Sequence, residues 1–109
     1  EEYKYELRVR EQAAKTAEYI ALARSLREDA SDVEYRRANQ LAWELALWLP
    51  TDLYRELGQA LIAPPSEHRI LGVLVKIRRL LLKDPGALTD NDIIHHSPKI
   101  GAIRSIGKP

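Results

Sequence analysis

Apolar residues recur at helical spacing in four stretches of the chain, and turn-forming residues separate these stretches. The clearest series has steps of three and four residues, the repeat that places side chains on one face of a helix. It consists of Ile70, Val73, Leu74, Ile77, Leu80 and Leu81. A second arc precedes it and consists of Ala38, Leu41, Ala42, Leu45, Trp48 and Leu49. The pattern predicts an all-α fold, a small antiparallel bundle of four main helices with an irregular C-terminal tail.

Capping residues and helix breakers set the expected boundaries. Ser31 followed by Glu34 predicts a capping box at the start of the second helix, which runs to about Leu49. Thr51 is the expected N-cap of a shorter third helix, and Ser66 caps a fourth helix of about 18 residues. Prolines at 64–65 and at 85 stop the third and fourth helices.

The first helix is the longest and is expected from Glu1 to about Arg27. Its predicted apolar stripe is rich in alanine and consists of Tyr3, Leu7, Ala14, Ala17 and Ala21. Tyr19, Leu22 and Leu26 add a further apolar side toward its C-terminal end. Because the first turns are weakly apolar and the later turns are apolar on more sides, we expect this helix to project as a stalk from the bundle. The chain opens within this helix and has no methionine, which suggests a longer parent whose missing N-terminal segment could be an anchor.

Two regions are expected overall, a helical bundle over residues 1–96 and a partly ordered basic tail over 97–109. The sequence around Thr89–Asp92 predicts one short helical turn that continues through Ile94 or His95. Glycines and prolines after residue 97 weaken any regular helix there.

Composition excludes several classes of protein. The 109 residues include no cysteine, which removes disulfide scaffolds, thiolate metal sites and cysteine nucleophiles. The five glycines are widely spaced and form no phosphate-binding loop, and no Gly-x-Ser-x-Gly elbow is present. We therefore expect neither an enzyme nor a bound cofactor.

One cluster could still hold a metal ion, because Asp90, Asp92, His95 and His96 lie close together in sequence. Carboxylate and imidazole groups are ligands for zinc or manganese, which makes a metal-dependent enzyme the alternative. A structural zinc site needs four ligands, however, and the third histidine, His68, lies in a different helix. Helix capping explains the cluster more simply, so no metal site is predicted.

Charge is distributed unevenly, although the net charge is only +1. Residues 63–109 carry eight basic and four acidic side chains, whereas residues 29–62 carry three and six. The fourth helix presents a basic stripe, which consists of Arg69, Lys76, Arg79 and Lys83. The stripe suggests an alternative function, binding to nucleic acid or to an anionic membrane surface. No recognition-helix motif accompanies it, so a solvated face is the favoured interpretation.

The second and fourth helices each carry a second apolar arc. The arcs consist of Trp43 and Leu47 on the second helix, and of Leu71, Val75 and Leu82 on the fourth. One short bundle is not expected to cover both arcs, and large exposed apolar patches mark contacts with partners. These five residues are therefore the predicted interface of a non-enzymatic interaction or self-assembly module. Its expected partner is a second copy in a homodimer, or another helical protein.

The overall layout resembles the soluble helical region of small bacterial membrane-anchored proteins of unknown function. The features that carry the resemblance are the opening Glu2-Tyr3-Lys4, the antiparallel second helix and the segment Asp92-Ile93-Ile94-His95-His96. The likeness covers most of the chain and rests on layout rather than on a diagnostic motif. It implies a transmembrane helix before Glu1 and a cytoplasmic location, and it transfers no binding or catalytic residue.

Overall fold

Four helices account for most of the protein in a computed structural model, which describes residues 2–62 and 65–96 and the backbone of 103–105. The helices are α1 (Glu2–Ser25), α2 (Asp32–Trp48), α3 (Thr51–Leu61) and α4 (Glu67–Leu81). A single 3₁₀ turn follows (Asp90–Asp92), and then two short strands, β1 (Ile94–His96) and β2 (Ile103–Ser105). The fold is therefore a small all-α bundle, as the sequence predicts. None of the described helices has both the length and the apolar character needed to cross a bilayer.

The helix starts confirm two of the three predicted caps. Ser31 and Glu34 form the capping box, with the Glu34 N–H donating to Ser31 Oγ and the Ser31 N–H donating to Glu34 Oε1. Ser66 Oγ accepts from the Arg69 N–H at the start of α4. The prediction for Thr51 is wrong, because Pro50 occupies the N-cap position and its carbonyl accepts the first helical hydrogen bond, from Tyr54.

α1 and α2 form an antiparallel pair that ion pairs hold together. Arg37 on α2 binds Glu18 through two hydrogen bonds, of 2.7 and 2.9 Å. Nearer the start of α1, Lys15 binds Glu44. The contact positions fall along α1 as they rise along α2, which is the antiparallel arrangement.

α1 is also antiparallel to α4, and this contact extends to its first turns. Arg24, near the end of α1, binds Glu67 in the first turn of α4. At the other end, the Tyr5 O–H donates to the Leu81 carbonyl at 2.9 Å. The prediction that α1 projects as a stalk is therefore wrong, because its first turns are bonded to the end of α4.

The buried face of α1 differs from the predicted stripe. All members of that stripe are exposed: Tyr3, Leu7, Ala14, Ala17 and Ala21. The side that faces the bundle instead includes Thr16, which is buried, and Tyr19 and Ile20, which pack against the core. Thr16 can be buried because its hydroxyl donates to the Gln12 carbonyl at 2.7 Å within the helix.

The core lies where α2, α3 and α4 meet. Its fully enclosed cluster consists of Leu45, Leu49, Leu57, Val73 and Ile77. Trp48 is partly buried and packs against this cluster, which confirms its predicted place in the core.

A short helical turn forms after α4 as predicted, but it does not continue through Ile94 or His95. The 3₁₀ turn ends at Asp92, and Ile94–His96 form an extended strand that pairs antiparallel with Ile103–Ser105. Strand β1 forms because its partner supplies a backbone ladder, which the local sequence cannot reveal. Apart from β2, the predicted partly ordered tail over 97–109 lies outside the described residues.

Candidate functional site

The outer face of α2 carries two large apolar side chains that no described element covers. Trp43 is 67% exposed and Leu47 is 87% exposed. They are four residues apart and therefore neighbours on one side of the helix. α2 contacts α1 on one flank, through Arg37, and α3 on the other, where the Tyr54 O–H donates to the Ala42 carbonyl at 3.1 Å. The side between these two flanks faces outward.

This face is suited to binding rather than to chemistry. An indole is a large amphipathic surface with few rotatable bonds, and tryptophan is enriched among residues that dominate binding energy at interfaces. The helix that carries it is fixed by a capping box and by core residues Leu41 and Leu45. A second surface that covered Trp43 and Leu47 would gain about 1.5–3 kcal/mol for each fully buried side chain.

The second apolar arc of α4, unlike that of α2, is largely buried. Leu71 is only 8% exposed and Val75 only 4%, while Leu82 is half-buried. The prediction that Leu71 and Val75 form an interface surface is wrong, because α1 and the segment after α4 pack over this side of the helix. These residues belong to the interior of a single chain.

A half-open apolar cavity of about 300 Å³ separates α1, α4 and the segment after α4. Its walls include Val9, Leu74, Leu81, Leu82 and Leu88. The polar groups at its edge are already engaged, since the Arg78 guanidinium donates to the Pro85 carbonyl at 3.0 and 3.2 Å. The cavity therefore has an apolar lining and presents no acid–base pair.

The aspartate–histidine cluster is divided among separate contacts. Asp92 Oδ2 accepts from the Thr89 N–H at 2.9 Å and from the Thr89 hydroxyl at 3.1 Å, which is a capping arrangement. His95 Nδ1 lies 3.0 Å from Glu67 Oε2. His96 is exposed.

Asp90, the remaining member of the cluster, contacts a histidine of α4 instead. His68 Nε2 is 3.2 Å from Asp90 Oδ2, so this contact ties the 3₁₀ turn to α4. Within the described ranges, no three histidine or carboxylate side chains are grouped so that they could hold a metal ion. The arrangement fastens the segment after α4 to the helix bundle.

Much of the predicted basic stripe is occupied by partners within the chain, and its last member, Lys83, lies beyond the end of α4 at Leu81. Lys76 Nζ binds both oxygens of Glu56 at 2.9 and 3.0 Å. Lys83 Nζ binds Glu2 at 3.0 Å, and this hydrogen bond raises the pKa of Lys83 above its ordinary value. An anion that approached either lysine would therefore also meet the negative charge of its carboxylate partner.

The two arginines of the stripe differ in their contacts. Arg79 makes one long hydrogen bond of 3.4 Å to the Leu88 carbonyl. Arg69 is exposed and makes no side-chain hydrogen bond or ion pair with the described residues. A stripe with one such cation offers little for phosphate groups to bind.

Carboxylates along the seam between α1 and α2 have a structural role. The hydrogen bond from Arg37 lowers the pKa of Glu18, and the hydrogen bond from Lys15 lowers the pKa of Glu44. Burial raises the pKa of the Tyr19 hydroxyl, which keeps that phenol neutral. These shifts follow from pairing and burial, and they favour charged carboxylates rather than proton transfer.

Two further residues of the outer face of α2 were not singled out from the sequence. Val33 is 68% exposed, and Arg36 is exposed on the same side as Trp43. Their separations of ten and seven residues from Trp43 are the signal, since seven residues are close to two full turns.

Comparisons with protein-family models, with curated proteins and with solved structures found no match to this chain. The resemblance to bacterial membrane-anchored proteins therefore stays a prediction. The assignment of function rests on the surfaces described above.

Proposed function

We propose that this protein is a non-enzymatic interaction module that assembles through the outer face of α2. The observation that carries the proposal is the exposure of Trp43 and Leu47 side by side on a well-anchored helix. Its partner is a second copy of the chain or another helical protein with an apolar face. No cofactor is required for this function.

The energetic basis is the burial of apolar area with little loss of conformational freedom. The indole of Trp43 and the side chain of Leu47 are already held on one face of α2, so binding orders few additional bonds. An interface centred on one helix buries an area at the lower end of the range for specific complexes, so the expected dissociation constant is micromolar or weaker.

The alternative function, binding of nucleic acid or of an anionic membrane through α4, has weaker support. Lys76 and Lys83 are paired with carboxylates of the same chain, and Arg79 bonds to a carbonyl. The variant Arg69→Glu with Arg79→Glu tests it by co-sedimentation with anionic vesicles and by retardation of DNA. We expect the native chain to show neither activity at physiological salt.

Sedimentation equilibrium tests the proposed self-association. The native chain is expected to approach twice its monomer mass between micromolar and millimolar concentration. The double variant Trp43→Ser with Leu47→Ser is expected to remain a monomer over the same range. The matched control, Tyr3→Ser with Ile62→Ser, removes two other exposed apolar side chains and is expected to behave like the native chain.

A native chain that stays monomeric at millimolar concentration would contradict self-association. A double variant that associates as well as the native chain would show that another surface is responsible.

A further inference from the structure

We infer that the partner of the outer face of α2 is the same face of a second copy, packed antiparallel across a twofold axis near Gln40. This inference rests on the proposed function and specifies its geometry. The face consists of exposed residues along the whole helix: Asp32, Val33, Arg36, Asn39, Gln40, Trp43, Ala46 and Leu47. A twofold interface brings one patch against itself, so the patch must be complementary to itself.

The two ends of this face differ in chemistry. Trp43 and Leu47 lie toward the C-terminal end of α2, and Arg36 lies toward its N-terminal end. Arg36 and Trp43 are seven residues apart, which places them on one side of the helix about 10.5 Å apart along its axis. A cationic group and an aromatic ring are therefore displayed on the same stripe.

Arg36 differs from its neighbour in having no partner. Arg37 binds Glu18, whereas the Arg36 guanidinium makes no hydrogen bond or ion pair with the described residues. An exposed cation without a partner is available to the face of an indole, and arginine over tryptophan is among the most favourable cation–π pairs.

Full overlap of two antiparallel copies brings these complementary groups together. α2 extends from Asp32 to Trp48, so its midpoint is at Gln40. With the axis there, Arg36 of each copy lies within one residue of Trp43 of the other, about 1.5 Å along the helix axis, and the exposed Val33 lies across from Leu47. The two Gln40 side chains meet at the axis. Each already donates one N–H to Glu44 Oε2 at 3.1 Å, and its second N–H and its carbonyl oxygen are left for the other copy.

Parallel pairing of the same face is less favourable. It would place Arg36 directly against Arg36 of the second copy, and like charges in register repel. In the antiparallel arrangement, these two guanidinium groups are separated by about 12 Å along the helix axis. Electrostatics therefore favours the antiparallel orientation.

Engineered cysteines test the geometry directly, because the native chain contains none. A disulfide requires Cα atoms about 4.4–6.8 Å apart. Gln40→Cys lies on the proposed axis and is expected to form a disulfide-linked dimer under mild oxidation. Val33→Cys lies about 21 Å from its own symmetry copy along the axis and is expected not to do so. A mixture of Val33→Cys and Leu47→Cys is expected to form the mixed disulfide.

The contribution of Arg36 is measured separately by sedimentation. Since the dimer contains two symmetric Arg36–Trp43 pairs, Arg36→Ala is expected to weaken the dimer by about fivefold or more. Arg36→Lys is expected to retain part of the affinity. The control Arg55→Ala removes another exposed arginine, on α3, and is expected to leave the dimer unchanged.

The outcomes separate this inference from the proposed function. Dimers in sedimentation without a Gln40→Cys crosslink would overturn the antiparallel geometry and leave self-association in place. A self-crosslink at Val33→Cys would show a parallel pair and would overturn it as well. A monomeric native chain would overturn both proposals.

Discussion

The outer arcs of α2 and α4 are both apolar, but they lie in opposite environments. Each is a short series of large apolar residues on the side of a helix opposite its main core arc. On α4, Leu71 and Val75 are buried within the chain, whereas on α2, Trp43 and Leu47 face outward. The difference lies in the neighbours, because α4 is covered by α1 and by the segment that follows it.

A second apolar side on a helix therefore does not by itself reveal which element, or which molecule, packs against it. For α4, the second layer is supplied by the same chain. For α2, no described element covers the corresponding side chains, and the proposed partner would remove this surface from water.

Truncation of one leucine in each arc is expected to give the largest difference in the free energy of unfolding. Leu71→Ala removes a buried side chain and is expected to lower the free energy of unfolding by about 2–4 kcal/mol. Leu47→Ala removes an exposed one and is expected to change it by no more than about 0.5 kcal/mol in the monomer. Urea denaturation at low protein concentration measures both. Equal losses for the two variants would show that the arcs do not differ in burial.

Loss of the contacts that hold the segment after α4 is expected to lower the free energy of unfolding by less than the loss of Leu71 does. Glu67 binds Arg24 of α1 and lies 3.0 Å from His95, so it joins three parts of the chain. Glu67→Gln is expected to cost about 0.5–1 kcal/mol and to speed hydrogen exchange of the amides at Ile93 and Ile94.

The control for that experiment is Glu56→Gln, which removes the ion pair with Lys76 on a different side of α4. It is expected to leave hydrogen exchange after residue 84 unchanged. Equal exchange in the two variants and the native chain would show that Glu67 does not fasten the segment.

The smallest expected effect concerns the ion pairs between α1 and α2, which make the stability of the fold depend on pH. Pairing lowers the pKa of Glu18 and Glu44 in the folded state. Their contribution to stability is therefore complete above the ordinary carboxyl pKa and is lost as pH falls through the lowered folded values. Thermal melts from neutral to acidic pH should show a shallower acid decline for Glu18→Gln with Glu44→Gln. Parallel melting curves for the native chain and this variant would contradict the account.

Local signals predicted the helices, and the capping motifs at Ser31 and Ser66 were predicted for the same reason. The burial face of α1 was predicted only in part. Tyr19 packs against the core as expected, whereas the alanine-rich stripe, which has a similar spacing, is exposed. The buried stripe contains Thr16, whose hydroxyl is satisfied by the Gln12 carbonyl within its own helix. A count of apolar residues treats that position as polar and selects the other face.

Features that depend on distant residues were beyond the sequence pattern. Strand β1 exists because it pairs with residues 103–105, and the cover over Leu71 and Val75 depends on the packing of α1. Of the five predicted interface residues, Trp43 and Leu47 are exposed because none of the described elements packs over their side of α2. The spacing of apolar residues identified the five candidates, and the tertiary contacts determine which of them are exposed.

The central claim, that a second molecule covers Trp43, is tested most directly by the fluorescence of that residue. Trp48→Phe leaves Trp43 as the single tryptophan, so its emission reports on this face alone. The account predicts that the emission maximum shifts to shorter wavelength as the protein is concentrated from micromolar to millimolar, in step with the mass measured by sedimentation. Emission that stays at the wavelength of a fully solvated indole throughout this range would contradict it.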